Sequence, residues 1–225
     1  ISTVENIMRN NLADGVICSR TECFDPRVRL MLENDFPFVT HGRTEFETEH
    51  PFVDFDNETF ARNAVANLVA QGRRRICMVA PDARFTFSQH LRTGFLAAVR
   101  EAGVEYVLPD DITLDVSADA LCAWLTENRG TEEPPDGYVC VGEEMALSTI
   151  AALKDTGAEI GQNVDVFAKR ASPIFGVLRP RIQSVFEDLR STGMAIGDML
   201  LRRIKGESPE KLQRLIPPLQ GVPPK

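Results

Sequence analysis

The side chains best suited to bind a metal or attack a substrate are few in this sequence, which has five cysteines and three histidines among 225 residues. No two cysteines are spaced as C-x-x-C, and none of His41, His50 and His90 has a second histidine at metal-ligand spacing. Scattered cysteines in odd number favour reduced core thiols over a disulfide framework. The cysteines are Cys18, Cys23, Cys77, Cys122 and Cys140. We therefore expect neither a metal site nor a disulfide framework.

The sequence also lacks the short motifs that mark common catalytic and cofactor sites. It has no G-x-G-x-x-G after a predicted strand and no G-x-x-x-x-G-K-[ST] phosphate loop. H-E-x-x-H and G-x-S-x-G are absent as well. No set of residues indicates a reaction, so we expect a ligand-binding protein that is not an enzyme and uses no cofactor.

Composition narrows the class of protein further. A chain that is 43% hydrophobic and 26% charged is typical of a globular protein with a sizeable core. No apolar run reaches the roughly 18 residues that a membrane span needs. Because 25 basic and 33 acidic residues give a net charge of −8, this chain by itself is a poor nucleic-acid binder. The first residues show no secretion signal, which favours a cytoplasmic protein.

Short apolar runs rich in β-branched and aromatic residues recur along the chain, each near Gly, Pro, Asn or Asp. Such runs predict buried strands. They lie at residues 16–18, 38–40, 53–55, 76–80, 138–141 and 164–167.

Amphipathic helices are predicted between these runs. In one of them Ala61, Ala64, Val65 and Leu68 recur at helical spacing, and Gly72 ends the helix. Three more predicted helices end at residues 103, 157 and 204. Strands that alternate with helices predict βαβ units, and hence an α/β fold with parallel sheets.

Two local features predict specific structure. Gly94 lies inside a predicted helix, where glycine costs about 1 kcal/mol relative to alanine, so we expect close backbone packing there. The proline-rich tail from Pro209 to Lys225 predicts an extended segment that crosses between subdomains. The basic triplet 73–75 follows the end of a helix, and we interpret it as a solvated connection.

Four segments together resemble the effector-binding core of LacI-type (lactose repressor family) transcriptional regulators. The matching order and spacing extend over nearly the whole chain. Two departures stand out, because Arg73 takes the place of a usual histidine and Glu143 that of a usual aspartate. The segments are LADGVI at 12–17, FVDFDN at 52–57 with LVAQGRRRI at 68–76, GEEMAL at 142–147, and IQSV at 182–185 followed by Gly193.

The resemblance implies two Rossmann-like subdomains with parallel sheets, joined by crossovers, as in periplasmic binding proteins. We expect one subdomain at 1–74 plus 186–206 and the other at 75–185 plus 207–225. Family members begin with a helix-turn-helix, a hinge helix, and a first strand and helix of the core. None of these matches this sequence, so we expect an incomplete N-terminal subdomain and an absent DNA-binding head.

The resemblance also implies function. Members bind a small-molecule effector, such as a sugar, glycoside or sugar phosphate, in the cleft between subdomains at the carboxyl ends of the strands. They act as homodimers and bind operator DNA through the N-terminal domain that is absent here. The alternative is a periplasmic sugar-binding protein of a transporter, which shares the architecture. Scattered cysteines and the lack of a secretion signal argue against that alternative.

Two acidic residues at predicted strand ends are candidates for contact with ligand hydroxyl groups. Asp56 lies between a strand and a helix, where it is either a hydroxyl acceptor or a helix N-cap. Glu143 follows another strand, where a carboxylate stabilised by the helix dipole is the alternative.

Candidate hydrogen-bond donors to the effector, and one candidate aromatic side chain, lie on or just before the helix that contains Gly94. The family commonly has an effector-binding arginine three residues before this glycine, but Leu91 occupies that position here. His90 and Arg92 on either side are therefore the candidates, with solvated helix positions as the alternative. Phe87 precedes them and is suited either to stack on a sugar ring or to pack in the core.

The largest departure follows the strand at 164–167, where the family usually has an effector-binding aspartate. Here Lys169, Arg170 and Ser172 lie at that strand end, and we predict that they line the site, with an exposed pair as the alternative. Because like charges repel in a partly dehydrated cleft, these cations indicate an anionic effector, such as a sugar phosphate or sugar acid. If Asp56 or Glu143 compensates them, a neutral glycoside fits equally well.

Overall fold

A computed structural model describes residues 1–110, 112–113 and 115–220. The chain divides into two compact units, and each contains several separate segments. The first unit consists of Ile1–Asp56, Arg84–Gln89 and Asp188–Pro217. The second consists of Asn57–Ala83, His90–Glu187 and, among the described residues, 218–220. The chain thus passes repeatedly between two α/β units, as the resemblance implied.

The described residues form seven α-helices and ten strands. The helices are α1 (Ser2–Arg9), α2 (Pro26–Glu33), α3 (Asn57–Ala70), α4 (Thr86–Ala102), α5 (Ala118–Arg129), α6 (Glu143–Asp155) and α7 (Leu189–Ile204). The strands are β1 (Val16–Ser19), β2 (Phe38–His41), β3 (Phe52–Phe55), β4 (Arg75–Met78), β5 (Glu105–Val107), β6 (Gly137–Cys140), β7 (Asp165–Arg170), β8 (Gln183–Phe186), β9 (Gln213–Ile216) and β10 (Leu219–Gln220). Short 3-10 helices lie at Ile174–Val177 and Pro209–Lys211.

The first unit is a parallel sheet of four strands in the order β1-β2-β3-β9, with helices on both faces. Successive residues of a strand point to opposite faces, so Phe38 and Val39 of β2 belong to different clusters. One cluster, with α1 and α2, comprises Val4, Cys18, Val28, Met31 and Phe38. The other, with α7, comprises Val39, Val53, Ile196, Met199 and Leu212.

The second unit is a sheet of six strands in the order β10-β8-β7-β6-β4-β5, in which only β10 is antiparallel among the described strands. Every residue of β6 is buried, as expected for a parallel strand covered on both faces. Helices α3 and α6 both contact β6 and β7. The strand order reverses between β4 and β6, and open α/β sheets bind ligands outside the carboxyl ends of their strands at such a point. The predicted α/β fold with parallel sheets is confirmed.

The division into units differs from the predicted boundaries at residues 57–74, 84–89, 186–187 and 207–217, and the longest of these segments are the first and the last. Helix α3 belongs to the second unit because it packs on β6 and β7, whereas the prediction placed residues 57–74 in the first. Strand β9 pairs with β3 in parallel, so residues 207–217 belong to the first unit rather than to the second. The predicted extended tail contains this strand and a 3-10 helix, and its residues 221–225 lie outside the described part of the chain.

The basic triplet is not wholly solvated, because Arg73 forms a buried ion pair. Its Nε lies 2.7 Å from Oδ2 of Asp165, and the two side chains are 12% and 10% exposed. The Nη2 of Arg73 also donates to the carbonyl oxygen of Gln162, at 3.0 Å. The interpretation of Arg73 as part of a solvated connection is therefore wrong. This arginine instead forms an ion pair with Asp165, the first residue of β7.

Gly94 is a point of close backbone approach, as its position inside a helix predicted. A Cβ atom added there would lie 2.3 Å from the carbonyl oxygen of Glu58 on α3. Gly72, which follows α3, has a φ of +89°, the left-handed conformation that ends helices. Both glycine predictions are confirmed.

We expect Gly94→Ala to lower the free energy of unfolding by about 1–3 kcal/mol, because α3 and α4 must separate to admit the methyl group. Gly193 on α7 provides a matched control, since a Cβ there meets nothing within 4 Å. Gly193→Ala should raise stability by up to about 1 kcal/mol through helix propensity alone. Denaturant unfolding of both variants checks this, and equal effects would contradict the packing role of Gly94.

Candidate ligand-binding site

Four of the predicted site residues come together at one edge of the six-stranded sheet. Glu143 begins α6 just after β6, Lys169 and Arg170 end β7, and Ser172 follows β7. Parallel strands place their carboxyl ends at a common edge, and this brings the four residues close together. We call Glu143, Lys169, Arg170 and Ser172 the edge cluster.

Glu143 holds the loop that follows β7. Its Oε1 accepts hydrogen bonds from the backbone N–H of Ala171 at 3.0 Å and that of Ser172 at 2.7 Å. The hydroxyl of Ser172 donates to the same oxygen at 2.8 Å. Glu143 also lies in the first turn of α6, where the helix dipole favours a carboxylate. The sequence analysis did not predict that Glu143 holds the loop after β7.

Lys169 is paired with an acidic residue that the sequence analysis missed. Its Nζ lies 3.0 Å from Oε2 of Glu187, and the two side chains are 14% and 13% exposed. The same Nζ donates to Oδ1 of Asn57 at 3.4 Å. Glu187 directly follows β8, whose Phe186 lies opposite Arg170 in the sheet. Its position after the IQSV segment was the available signal, because β8 ends at the same sheet edge as β7.

Arg170 is hydrogen-bonded to two serine residues. Its Nε donates to the hydroxyl of Ser184 at 3.1 Å, and its Nη1 donates to the carbonyl oxygen of Ser172 at 3.1 Å. The guanidinium carbon lies 5.1 Å from the ring centroid of Phe186, within range of a cation–π contact. These contacts fix the guanidinium beside the strand ends.

The charges at this edge are balanced. Lys169 and Arg170 contribute two positive charges, while Glu143 and Glu187 contribute two negative ones. Lys169 and Glu187 are in direct contact. The edge therefore offers oriented hydrogen-bonding groups without a local excess of positive charge.

Glu143 also lines a small pocket beside α5 and α6. The pocket has a volume of about 200 Å³, and its wall includes the apolar side chains of Val116, Leu121 and Met145. Ligand pockets for small molecules typically have volumes of about 300–1,000 Å³. This pocket alone is thus too small for a disaccharide.

Arg92 and His90, also in the second unit, lie on α4. Nη1 of Arg92 pairs with Oδ1 of Asp110 at 3.0 Å, which is not a contact with the edge cluster. Nε of Arg92 is buried without a hydrogen-bond partner among the described residues. His90 is half-buried one turn before Gly94.

The remaining candidates, Asp56 and Phe87, belong to the first unit. Asp56 follows β3, and its backbone N–H donates to the carbonyl oxygen of Ile216 at 2.8 Å. Phe87 is half-buried and stacks on the buried ring of Phe85, with centroids 5.7 Å apart. The guanidinium carbon of Arg20 lies 4.5 Å from the centroid of the Phe85 ring.

Two other reactive side chains, Cys140 and His50, are buried. Burial raises the pKa of the Cys140 thiol to about 12, so this thiol stays protonated at neutral pH. Burial lowers the pKa of His50, whose Nε2 lies 2.9 Å from the hydroxyl oxygen of Thr44. Across residues 1–110, 112–113 and 115–220, no group of three or more His, Cys, Asp and Glu side chains is arranged to hold a metal ion. In that same part of the chain, no helix is long and apolar enough to cross a membrane.

A comparison with known proteins identifies the domain family to which this chain belongs. The model of the periplasmic binding protein-like domain family matches residues 65–223, and the chain belongs to this family. Its fold is shared with a LacI-family regulatory protein from Chloroflexus aggregans, with a TM-score of 0.84 and 24% identity over 99% of this chain and 80% of that one. A structure of the regulator CelR with cellobiose gives a TM-score of 0.83 and 22% identity, covering 98% of this chain and 68% of that one.

Curated proteins similar to this chain are HTH-type transcriptional regulators. The HTH-type transcriptional regulator AglR of Rhizobium meliloti (strain 1021) is 26% identical over 91% of this chain and 58% of its own length. The HTH-type transcriptional regulator CelR of Thermobifida fusca is 26% identical over 90% of this chain and 60% of its own length. The chain therefore spans about 60% of these relatives. The resemblance to the effector-binding core of LacI-type regulators is confirmed.

We expect Glu143→Ala to loosen the loop after β7 and to lower the free energy of unfolding by about 1–3 kcal/mol, because three donors lose their acceptor. Glu144→Ala is the matched control, since Glu144 is exposed and lies in the same first turn of α6. Thermal unfolding and limited proteolysis within 171–178 check this. An equal loss in both variants would assign the effect to the helix dipole rather than to the loop.

Proposed function

We propose that this chain is the effector-binding domain of a DNA-binding transcriptional regulator, and that its effector is a sugar or sugar derivative. The effector binds at the carboxyl ends of the strands and changes the affinity of a helix-turn-helix segment for operator DNA. The observation that carries this proposal is the polar edge cluster at the carboxyl ends of parallel strands, in a chain of this family. The names of the curated relatives support regulation, and the cellobiose complex of one neighbour supports a sugar.

Further contacts to the effector are proposed for the remaining candidate residues. Asp56 accepts hydroxyl groups and Phe87 packs on the sugar ring, while His90 and Arg92 donate from α4. Arg170 and Ser172 complete the set from the strand ends, beside Glu143 and Lys169.

We infer that the effector is uncharged. An anion that binds to Lys169 must compete with the Glu187 carboxylate, which already lies 3.0 Å from the ammonium group in a largely buried position. Bringing a further negative charge beside Glu187 costs electrostatic energy that no excess of cations offsets. Hydroxyl groups, in contrast, both donate to carboxylates and accept from arginine without disturbing the pair.

Isothermal titration calorimetry tests the charge of the effector. The neutral ligands are cellobiose, glucose and galactose. Glucose 6-phosphate and galactonate are their anionic counterparts. We expect one of the neutral sugars to bind with a Kd that changes less than about twofold between low and high salt, because its binding neutralises no charge. Tight binding of glucose 6-phosphate that weakens steeply with salt and with Lys169→Ala, but not with Lys154→Ala, would contradict an uncharged effector.

We also propose that the complete regulator is a homodimer. Val177, in the second unit, is 81% exposed and lies in the same 3-10 helix as the exposed Ile174. Apolar groups exposed in this way favour burial against a partner surface. Sedimentation should show a dimer at tens of micromolar, and Val177→Asp should shift it toward monomer. A protein with a complete core that sediments as monomer alone contradicts the proposal.

A further inference from the structure

The side chain of Lys169 joins two chain segments at the points where they meet the unit boundaries. Asn57 is the first residue of the second unit after the boundary at 56/57, and Glu187 is the last residue before the boundary at 187/188. Lys169 Nζ lies 3.4 Å from Oδ1 of Asn57 and 3.0 Å from Oε2 of Glu187. One ammonium group therefore contacts two of the segments by which the chain passes between units.

Both partners of Lys169, Asn57 and Glu187, are themselves held in place by other contacts. Asn57 is buried at the start of α3, which packs on β6 and β7. The backbone N–H of Glu187 donates to the carbonyl oxygen of Arg170, next to Lys169, at 2.8 Å. Glu187 is thus held by its backbone as well as by its side chain. Removing the lysine would leave a largely buried carboxylate without its counter-ion, which is costly.

We propose that Lys169 is a positioning residue that anchors both segments to the second unit. Hinge motions are absorbed by a few residues at the ends of secondary-structure elements. With Asn57 and Glu187 anchored, a hinge at either of these two boundaries lies at the neighbouring residue of the first unit, Asp56 or Asp188. The consequence for effector binding rests on the proposed function, but the anchoring itself is a property of the unliganded chain.

Neighbouring residues at the strand ends also contact other parts of the second unit. Arg170 is bonded to Ser184 and Ser172, which both lie within the second unit away from its boundaries. Glu143 holds residues 171 and 172, in the same unit. Lys169 contacts the boundary residues Asn57 and Glu187 directly, so its substitution should alter the mobility of those segments before that of the strand ends.

Amide hydrogen exchange of the unliganded protein tests the proposal. In Lys169→Met and in the milder Glu187→Gln, the amide of Glu187 should exchange about tenfold faster, while the amides of Cys77 and Val139 in β4 and β6 keep their protection. Lys154→Met, on the exposed face of α6, is the control and should leave all of these amides unchanged. Unchanged exchange at Glu187, or a uniform loss of protection across the second unit, would overturn the proposal.

The double variant Lys169→Met/Glu187→Met separates anchoring from general stability. Replacing a buried ion pair by apolar groups removes the uncompensated charge, so the melting temperature should recover relative to the single variants. Exchange at Glu187 should stay fast, because the link to Asn57 is still missing. If both stability and protection return, Lys169 is merely structural and the proposal fails. No ligand enters these measurements, so their outcome is independent of whether a sugar binds.

Discussion

The constraint on which this protein depends is the burial of parallel strands on both faces. A parallel strand must be followed by a crossover long enough to return to the same end of the sheet, and that crossover is a helix which covers the face. Val139 and Cys140 of β6 are fully buried between such helices. The same constraint places the carboxyl ends of the parallel strands within each sheet at a common edge, where the chain turns and polar side chains are tolerated. The edge cluster is a consequence of that geometry.

The sequence predicts elements well where they are buried, and less well at the margins. The apolar runs at 38–40 and 138–141 correspond to β2 and β6, because full burial demands continuous apolar residues. Strand β5 has no such run, since it is an edge strand and its Tyr106 is 49% exposed. The assignment of α3 failed for a different reason. An amphipathic pattern shows which helix face is buried, but it does not show which sheet covers that face.

The sequence predicts where the candidate site lies. It does not predict which residues contact one another within the site. Glu143 and Lys169 follow apolar strands, so sequence alone predicts that they lie near strand ends. The partners of Lys169 are 112 residues before it and 18 residues after it, at Asn57 and Glu187. Only the folded sheet brings these positions together. An isolated lysine at a strand end indicates an anionic ligand, whereas a lysine already paired with a carboxylate does not.

Local pairing matters more for ligand choice than the net charge of the chain. A formal charge of −8 would repel anions at long range, but physiological salt screens exposed charges beyond about 8 Å. Within that distance the partly buried groups at the strand ends dominate, and there the charges of Lys169 and Arg170 are matched by those of Glu187 and Glu143. A proposed site balanced in this way disfavours anions, but charge does not let it distinguish one uncharged ligand from another. Among uncharged ligands, the proposed site would select by the directions of its donors and acceptors, which are fixed by the contacts of Arg170 with Ser184 and of Glu143 with Ser172. Directional selection suits a ligand whose hydroxyl groups differ only in orientation, and this is the feature that distinguishes one sugar from another.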